Sequence, residues 1–176
     1  MKIEEEVQVA HQYYQYKRYK EAADLFESLA DQYEEYSDFK NAAEMKNNAS
    51  VAYLMIGDYQ KAYESAKDTH LVFENYQDFR NCGLALGNQA SALEYLGEKA
   101  LAYQLFTQAK DYLDEAGDKE SKAYVLKKIS ALQIQQGKQF EALGSMSSAL
   151  DNIPQLSTSE KILKKLTDFI TKIGTR

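Results

Sequence analysis

The residue types most often used for catalysis and metal binding are few in this sequence and far apart. The two histidines, His11 and His70, fall in different predicted helices, with no cysteine or carboxylate at the spacing of metal ligands. The single cysteine, Cys82, excludes an internal disulfide and is expected to be a small buried residue. No glycine-rich phosphate loop and no Gly-x-Ser-x-Gly turn is present. The sequence therefore predicts a protein that is not an enzyme and that holds neither a cofactor nor a metal ion.

Charge is distributed unevenly along the chain. The net charge is −6, which argues against nonspecific binding to nucleic acid. Residues 1–40 carry a net charge of −5, residues 41–118 carry −6, and residues 119–176 carry +5. We therefore expect a molecule that is electrostatically polarised from end to end.

The sequence contains no pattern typical of a membrane span or a secretory signal. Its uncharged apolar runs are all shorter than a membrane-spanning helix requires. Glu4, Glu5 and Glu6 place charge where the apolar core of a secretory signal would lie. We therefore predict a cytoplasmic protein that does not insert into membranes.

A forty-residue period organises the sequence. Four series of residues share this period: an alanine, a glycine, a small residue and a helix-capping residue. Their members are Ala22, Ala62, Ala102 and Ala142; Gly57, Gly97 and Gly137; Ala10, Ser50, Ala90 and Ser130; and Asp38, Asp78, Asp118 and Thr158. The capping residue favours the start of a helix, the glycine favours its end, and the small residues allow two helices to approach closely. The period therefore predicts a series of helix-turn-helix hairpins.

Apolar residues recur at steps of three and four within each repeat, which is typical of helices that bury one face. We predict helices over 2–16, 19–36, 39–56, 59–75, 79–96, 99–116, 119–136, 139–152 and 158–173. Pro154 ends the eighth helix, and the residues from Ser157 to Glu160 offer a capping box in which either Ser157 or Thr158 is the cap. The apolar stripe of the last helix is expected to cover the exposed edge of the core.

The segment from Asn48 to Ala62 resembles the tetratricopeptide repeat (TPR), with an asparagine, a small residue, an aromatic residue, Gly57-Asp58-Tyr59 and an alanine in the family's order. The forty-residue unit is similar to the longer variants of that family. The resemblance implies an all-α fold, an α-solenoid of about four TPR-like helical hairpins plus a C-terminal capping helix, in a single domain 1–176. The predicted repeats are 1–37, 38–77, 78–117 and 118–157, followed by the capping helix 158–173.

Proteins of the TPR family bind peptides or protein segments in a groove lined by the first helix of each repeat. The resemblance implies that the groove positions are His11, Tyr14, Asn47, Asn48, Val51, Met55, Asn88, Ser91, Tyr95 and Lys127. Asn48 and Asn88 match the family asparagine that bonds the backbone of a bound peptide, or else they bridge neighbouring helices. The predicted function is an adaptor or scaffold that binds a protein or peptide segment. The alternative is a self-assembling structural module, in which the acidic part of one copy meets the basic part of another.

Overall fold

A computed structural model describes residues 2–174 and contains ten helices over that range. The predicted domain 1–176 also includes residues 1, 175 and 176, which lie outside the described residues. The helices are α1 (Ile3–Gln15), α2 (Tyr19–Glu35), α3 (Phe39–Ile56), α4 (Tyr59–Ala66), α5 (Thr69–Asn75), α6 (Phe79–Leu96), α7 (Lys99–Glu115), α8 (Lys119–Gln135), α9 (Gln139–Asp151) and α10 (Thr158–Gly174).

The helices pack as hairpins, with α4 and α5 both packed on α3 and α6, which confirms the predicted all-α solenoid of helical hairpins. We call α1, α3, α6 and α8 the first helices, and α2, α4 with α5, α7 and α9 the second helices. Small residues lie where the two helices of a hairpin cross, and Ala62 and Ala102 are fully buried there. The hydroxyls of Ser50 and Ser130 each donate a hydrogen bond of 2.7 Å across the hairpin, to the carbonyl oxygens of Ala62 and Ala142. The recurring small residues therefore allow close contact between helix backbones.

The start of the second, third and fourth repeats is fixed by a side chain that caps the first helix. Asp38, Asp78 and Asp118 each accept a hydrogen bond from the backbone amide three residues later, at 3.2, 3.2 and 3.0 Å, as predicted. At α10 the cap is Ser157 and not Thr158. The amide of Glu160 donates to Ser157 Oγ at 3.3 Å, and Glu160 Oε2 accepts from the Ser157 amide at 3.0 Å, which is a complete capping box.

Left-handed backbone conformations recur every twenty residues, at each turn from α1 to α9. The residues are Lys17, Ser37, Gly57, Gln77, Gly97, Gly117 and Gly137, with φ between 55° and 90°. A residue in the left-handed conformation lets the following amides donate hydrogen bonds to the last carbonyl groups of the helix as the chain turns. Glycine adopts this conformation with the least steric strain. The turn geometry is therefore more regular than the residue types that form it.

This regularity predicts opposite effects at two equivalent turns. Gln77→Gly should raise the free energy of unfolding by roughly 0.5–1 kcal/mol, because it removes the strain of a side chain at φ 55°. Gly117→Gln, forty residues later, should lower the free energy of unfolding by roughly the same amount, because a side chain is strained at φ 69°. A Cβ at this position would contact nothing within 4 Å, so the change reports the backbone strain without a steric clash. Urea unfolding of both variants measures the two changes. Changes of the same sign would contradict the explanation.

The prediction of one continuous helix over 59–75 is wrong, because α4 and α5 are separate helices. Asp68 interrupts them with φ 61°. The Thr69 hydroxyl donates to the carbonyl of Ala66 at 2.8 Å and lies 3.4 Å from the Asn47 side-chain oxygen. Short polar side chains can bond the neighbouring backbone outside a helix, which makes the interruption less costly at this point.

The last helix, α10, packs on α9 with its polar side. Thr167 is buried, and Lys164 forms ion pairs with Asp151 and Asp168 at 2.9 and 2.7 Å. Four apolar side chains of α10 are exposed, namely Ile162, Leu163, Leu166 and Phe169, while Ile170 is half-buried. The expectation that its apolar stripe covers the edge of the core is therefore wrong.

Candidate protein-binding groove

Two adjoining clefts lie beside the first helices in the C-terminal half of the molecule. The first, of about 360 Å³, is lined by Leu84, Gly87 and Asn88 of α6 and by Ser121, Tyr124 and Val125 of α8. The second, of about 590 Å³, is lined by Ala123, Tyr124, Lys127, Ile153 and Pro154. Tyr124 borders both clefts, and 51% of its surface is exposed. A ligand lying along this face would therefore contact Tyr124 from either side.

The rim of each cleft carries a pair of opposite charges. At the first cleft, Arg80 Nε donates to Asp118 Oδ2 at 2.9 Å. Burial alone would raise the pKa of Asp118, but hydrogen bonds from Ser121 and the Arg80 guanidinium together hold it below its usual value. At the second cleft, Lys127 Nζ lies 3.5 Å from Glu160 Oε1. Both rims can therefore offer donors and acceptors to a polar backbone.

An aromatic and cationic cluster links these clefts to the α3–α4 hairpin. We define it as Tyr59, Tyr95, Tyr124 and Lys128. The rings of Tyr59 and Tyr95 stack with their centroids 4.4 Å apart. Lys128 Nζ lies 5.5 Å from the centroid of Tyr95 and 5.9 Å from that of Tyr124, and pairs with Glu94 at 2.7 Å. The cluster thus holds two exposed tyrosines of α6 and α8 around one cation.

Desolvation alone would lower the pKa of Lys128. Its hydrogen bond to Glu94 and its electrostatic interactions with Tyr124, Glu94 and Tyr95 outweigh this effect, so the pKa lies above its usual value. Lys128 therefore stays positively charged at neutral pH and keeps the electrostatic attraction that holds the cluster together.

A third cleft, of about 610 Å³, opens on the side of the second helices α7 and α9. Its lining is mainly polar, and Lys122 forms an ion pair with Asp114 within it. The one aromatic residue in its lining, Tyr103, is half-buried, whereas Tyr124 is 51% exposed and borders both of the other clefts. We therefore place the candidate site at the first two clefts.

Of the ten residues predicted to line a groove, Met55 and Tyr95 are exposed, and the half-buried Asn88 and Lys127 border the clefts. Asn88 borders the first cleft and Lys127 the second. Tyr95 belongs to the aromatic cluster and is 57% exposed. Met55, which lies forty residues before Tyr95, is 52% exposed. Their role in binding stays a prediction.

Asn47, Asn48, Val51 and Ser91 lie deeper in the hairpins. Asn47 is buried and faces the hydroxyl of Thr69, while the buried Ser91 hydroxyl donates to the Gly87 carbonyl of its own helix at 2.8 Å. Val51 and Asn48 are half-buried. Within residues 2–174, the buried Nδ2 of Asn48 has no hydrogen-bond partner. These positions therefore offer a ligand little surface.

His11 and Tyr14 lie on α1, at the other end of the solenoid from the clefts. His11 is exposed at its surface but packs edge-on against Phe26, with centroids 5.1 Å apart. Tyr14 packs against Tyr19 at 5.2 Å, and burial, with the neighbouring Tyr19, raises the pKa of Tyr14. The structure does not bring these two residues together with the C-terminal clefts.

Sequence reasoning missed Tyr124 and Leu84. They lie forty residues apart, at the same position on α8 and α6, and Glu44 is their counterpart on α3. The period could therefore have found them. The residues chosen from the TPR pattern lay further along each helix.

Within residues 2–174, no group of three His, Cys, Asp or Glu residues is placed to hold a metal ion. Over the same range, no helix combines the length and apolar character needed to cross a bilayer.

A solenoid of packed hairpins with an exposed aromatic and charged face defines a helical-repeat protein-interaction scaffold. The family model described as soluble NSF attachment protein, SNAP, matches residues 3–165, and the chain belongs to this family. SNAP-family proteins are non-enzymatic adaptors. The match confirms the predicted TPR-like family, while the forty-residue variant stays a prediction. A comparison with curated proteins finds no match.

Proposed function

We propose that this chain is an adaptor that holds a segment of another protein across its first helices, centred on Tyr124. The observation that carries the proposal is the position of Tyr124, half-exposed and shared by two clefts with charged rims. Tyrosine is enriched among the residues that dominate binding energy, because a large apolar ring and a hydroxyl are buried with little loss of conformational freedom.

The neighbouring side chains suit a helical or extended segment. Tyr95 and Met55 continue the exposed apolar surface from α6 to α3, and the flexible thioether of Met55 adapts to different partners. Asn88 and Lys127 can donate hydrogen bonds to a bound backbone from the two clefts. The buried Asn47 and Ser91 are left out of the proposed surface.

Membership of the SNAP family supports this class of function. The family description concerns attachment to the protein NSF. Our proposal for this chain is the class of partner, a protein segment held along the first helices, and it does not depend on that partner being NSF.

Tyr124→Ala should weaken binding of the partner about tenfold or more, because truncation of a central aromatic residue removes its contact and leaves water in the clefts. The partner is first captured on the wild-type chain from cell extract and identified by mass spectrometry. Its dissociation constant is then measured for the purified variants by calorimetry.

Tyr36→Ala is the matched control, because Tyr36 is 77% exposed and follows α2, away from the clefts. We expect it to bind like the wild type, with unchanged helicity in both variants. Equal affinity of Tyr124→Ala and Tyr36→Ala would place the binding surface elsewhere.

A further inference from the structure

The outer face of α10 is apolar and open to solvent. Ile162, Leu166 and Phe169 are 65%, 53% and 62% exposed. At 100° per residue, the three side chains fall within about 60° of one another on the helix. They therefore form one continuous stripe on the side of α10 that faces away from α9.

The exposure of Phe169 differs from that of the equivalent residues in the preceding repeats. Phe169 corresponds to Ala49, Gln89 and Ile129 in the three preceding first helices, and all three of those residues are buried. In α10 the polar side, with buried Thr167 and half-buried Lys164, takes the contact with α9. The apolar stripe is therefore unpartnered within residues 2–174.

A row of lysines follows one edge of the stripe. Lys161, Lys165 and Lys172 are exposed and fall within about 40° of one another on the helix. Neither Lys161 nor Lys165 forms an ion pair within the described residues. A surface that complements this face would therefore be both apolar and negatively charged.

A second copy of the chain meets only part of this requirement. In a two-fold antiparallel pair of α10 helices, the same edge of both helices lies on the same side, so the two lysine rows would repel each other. A head-to-tail contact with α1 supplies negative charge from Glu4 and Glu5, but the outer side of α1 also exposes Gln8 and His11. That surface is polar and leaves the apolar stripe without a matching contact.

We propose that α10 binds in the plane of an anionic lipid surface. The stripe of Ile162, Leu166 and Phe169 enters the boundary between headgroups and acyl chains, and Lys161 and Lys165 contact the headgroup phosphates. Amphipathic helices with lysines beside the apolar face bind anionic bilayers in this way, without crossing them. The lipid thus supplies the apolar and the negative component together.

The chain contains no tryptophan, so Phe169→Trp places a single tryptophan on the proposed contact, and its fluorescence can be excited apart from that of the tyrosines. We expect a blue shift and co-sedimentation with vesicles of phosphatidylcholine and phosphatidylserine, and much weaker binding to phosphatidylcholine alone. Binding should fall with added salt, because the lysine contribution is screened. Unmodified protein is sedimented in parallel.

The double variant Lys161→Glu/Lys165→Glu should reduce the partition onto anionic vesicles about tenfold or more. Lys99→Glu/Lys119→Glu is the control, since it makes the same change in net charge at two exposed residues on other helices. It should reduce binding far less. Leu166→Ser/Phe169→Ser tests the apolar stripe and should also abolish co-sedimentation with the anionic vesicles.

Three outcomes would overturn the proposal. They are a wild-type chain that does not bind anionic vesicles, equal losses in the two charge-reversal variants, and a dimer in light scattering that Leu166→Ser/Phe169→Ser dissociates. Vesicle binding by α10 does not depend on the proposed protein-binding site around Tyr124. Tyr124→Ala should therefore bind these vesicles like the wild type.

Discussion

Gly83→Ala should lower the free energy of unfolding by about 2–3 kcal/mol, because α6 and α7 approach each other too closely at this point for a side chain. A Cβ on Gly83 would lie 2.5 Å from Leu113 Cγ and 3.0 Å from the backbone carbonyl oxygen of Ala109. Leu113 and Ala109 are fully buried, so neither can move aside without disturbing the core. Urea unfolding followed by circular dichroism measures the loss.

Gly87→Ala is the matched control on the same helix. A Cβ there would meet Val125 Cγ2 at 3.8 Å, which is an ordinary contact. We expect a gain of roughly 0.5–1 kcal/mol, since alanine favours a helix over glycine. Similar stability changes in Gly83→Ala and Gly87→Ala would show that the α6–α7 approach is not what fixes Gly83.

The helices and their hairpins could be predicted from the sequence because the residues that start, end and join the helices recur every forty residues. A cap such as Asp78, a left-handed turn such as Gly97 and a small crossing residue such as Ala102 each have one main physical explanation. The interruption at Asp68 has no such signal, since it depends on where Thr69 finds its partners in the folded hairpin.

The orientation of α10 could not be predicted from its pattern. The stripe around Leu166 predicts which residues share a face, but not which neighbour that face meets. The connection through Pro154 breaks the regular turn, and α9 is contacted through Lys164 and Thr167 instead. Periodicity fixes the relative positions of side chains, whereas the rotation of the whole helix depends on the tertiary contacts.

The candidate site was predictable only in part for a similar reason. Among the residues chosen from the TPR pattern, Tyr95 is exposed and the half-buried Asn88 borders the first cleft. The pattern also included Asn47 and Ser91, which are buried. One helical step of 100° separates exposed from buried positions, so small differences in helix packing decide which side chains reach solvent.

The thiol of Cys82 provides the second large expected effect, a loss of stability at alkaline pH. Cys82 is fully buried beside Phe73 and Ala85, and its Sγ lies 3.5 Å from the carbonyl oxygen of His70. Burial, with the charges of Glu74 and Asp78, raises the pKa of the thiol from 9.0 to about 11. Folding therefore favours the protonated thiol.

The sign of the effect follows from this raised pKa. The contribution of the thiol is fully present well below pH 9.0, where the thiol of the unfolded chain is also protonated, and is lost progressively as the pH rises through 9.0 and about 11. A shift of this size corresponds to about 2–3 kcal/mol of stability. Cys82→Ala lacks the thiol but keeps every tyrosine, so the ionisation of the tyrosines cancels when the two chains are compared.

We therefore expect the free energy of unfolding of the wild type to fall by about 2 kcal/mol relative to Cys82→Ala as the pH rises from 9.0 to about 11. Urea unfolding of both chains over this range measures the difference. The packing lost in Cys82→Ala shifts its stability by the same amount at every pH, so only the slope reports the thiol. A difference that stays constant with pH would mean that the folded chain does not disfavour the thiolate.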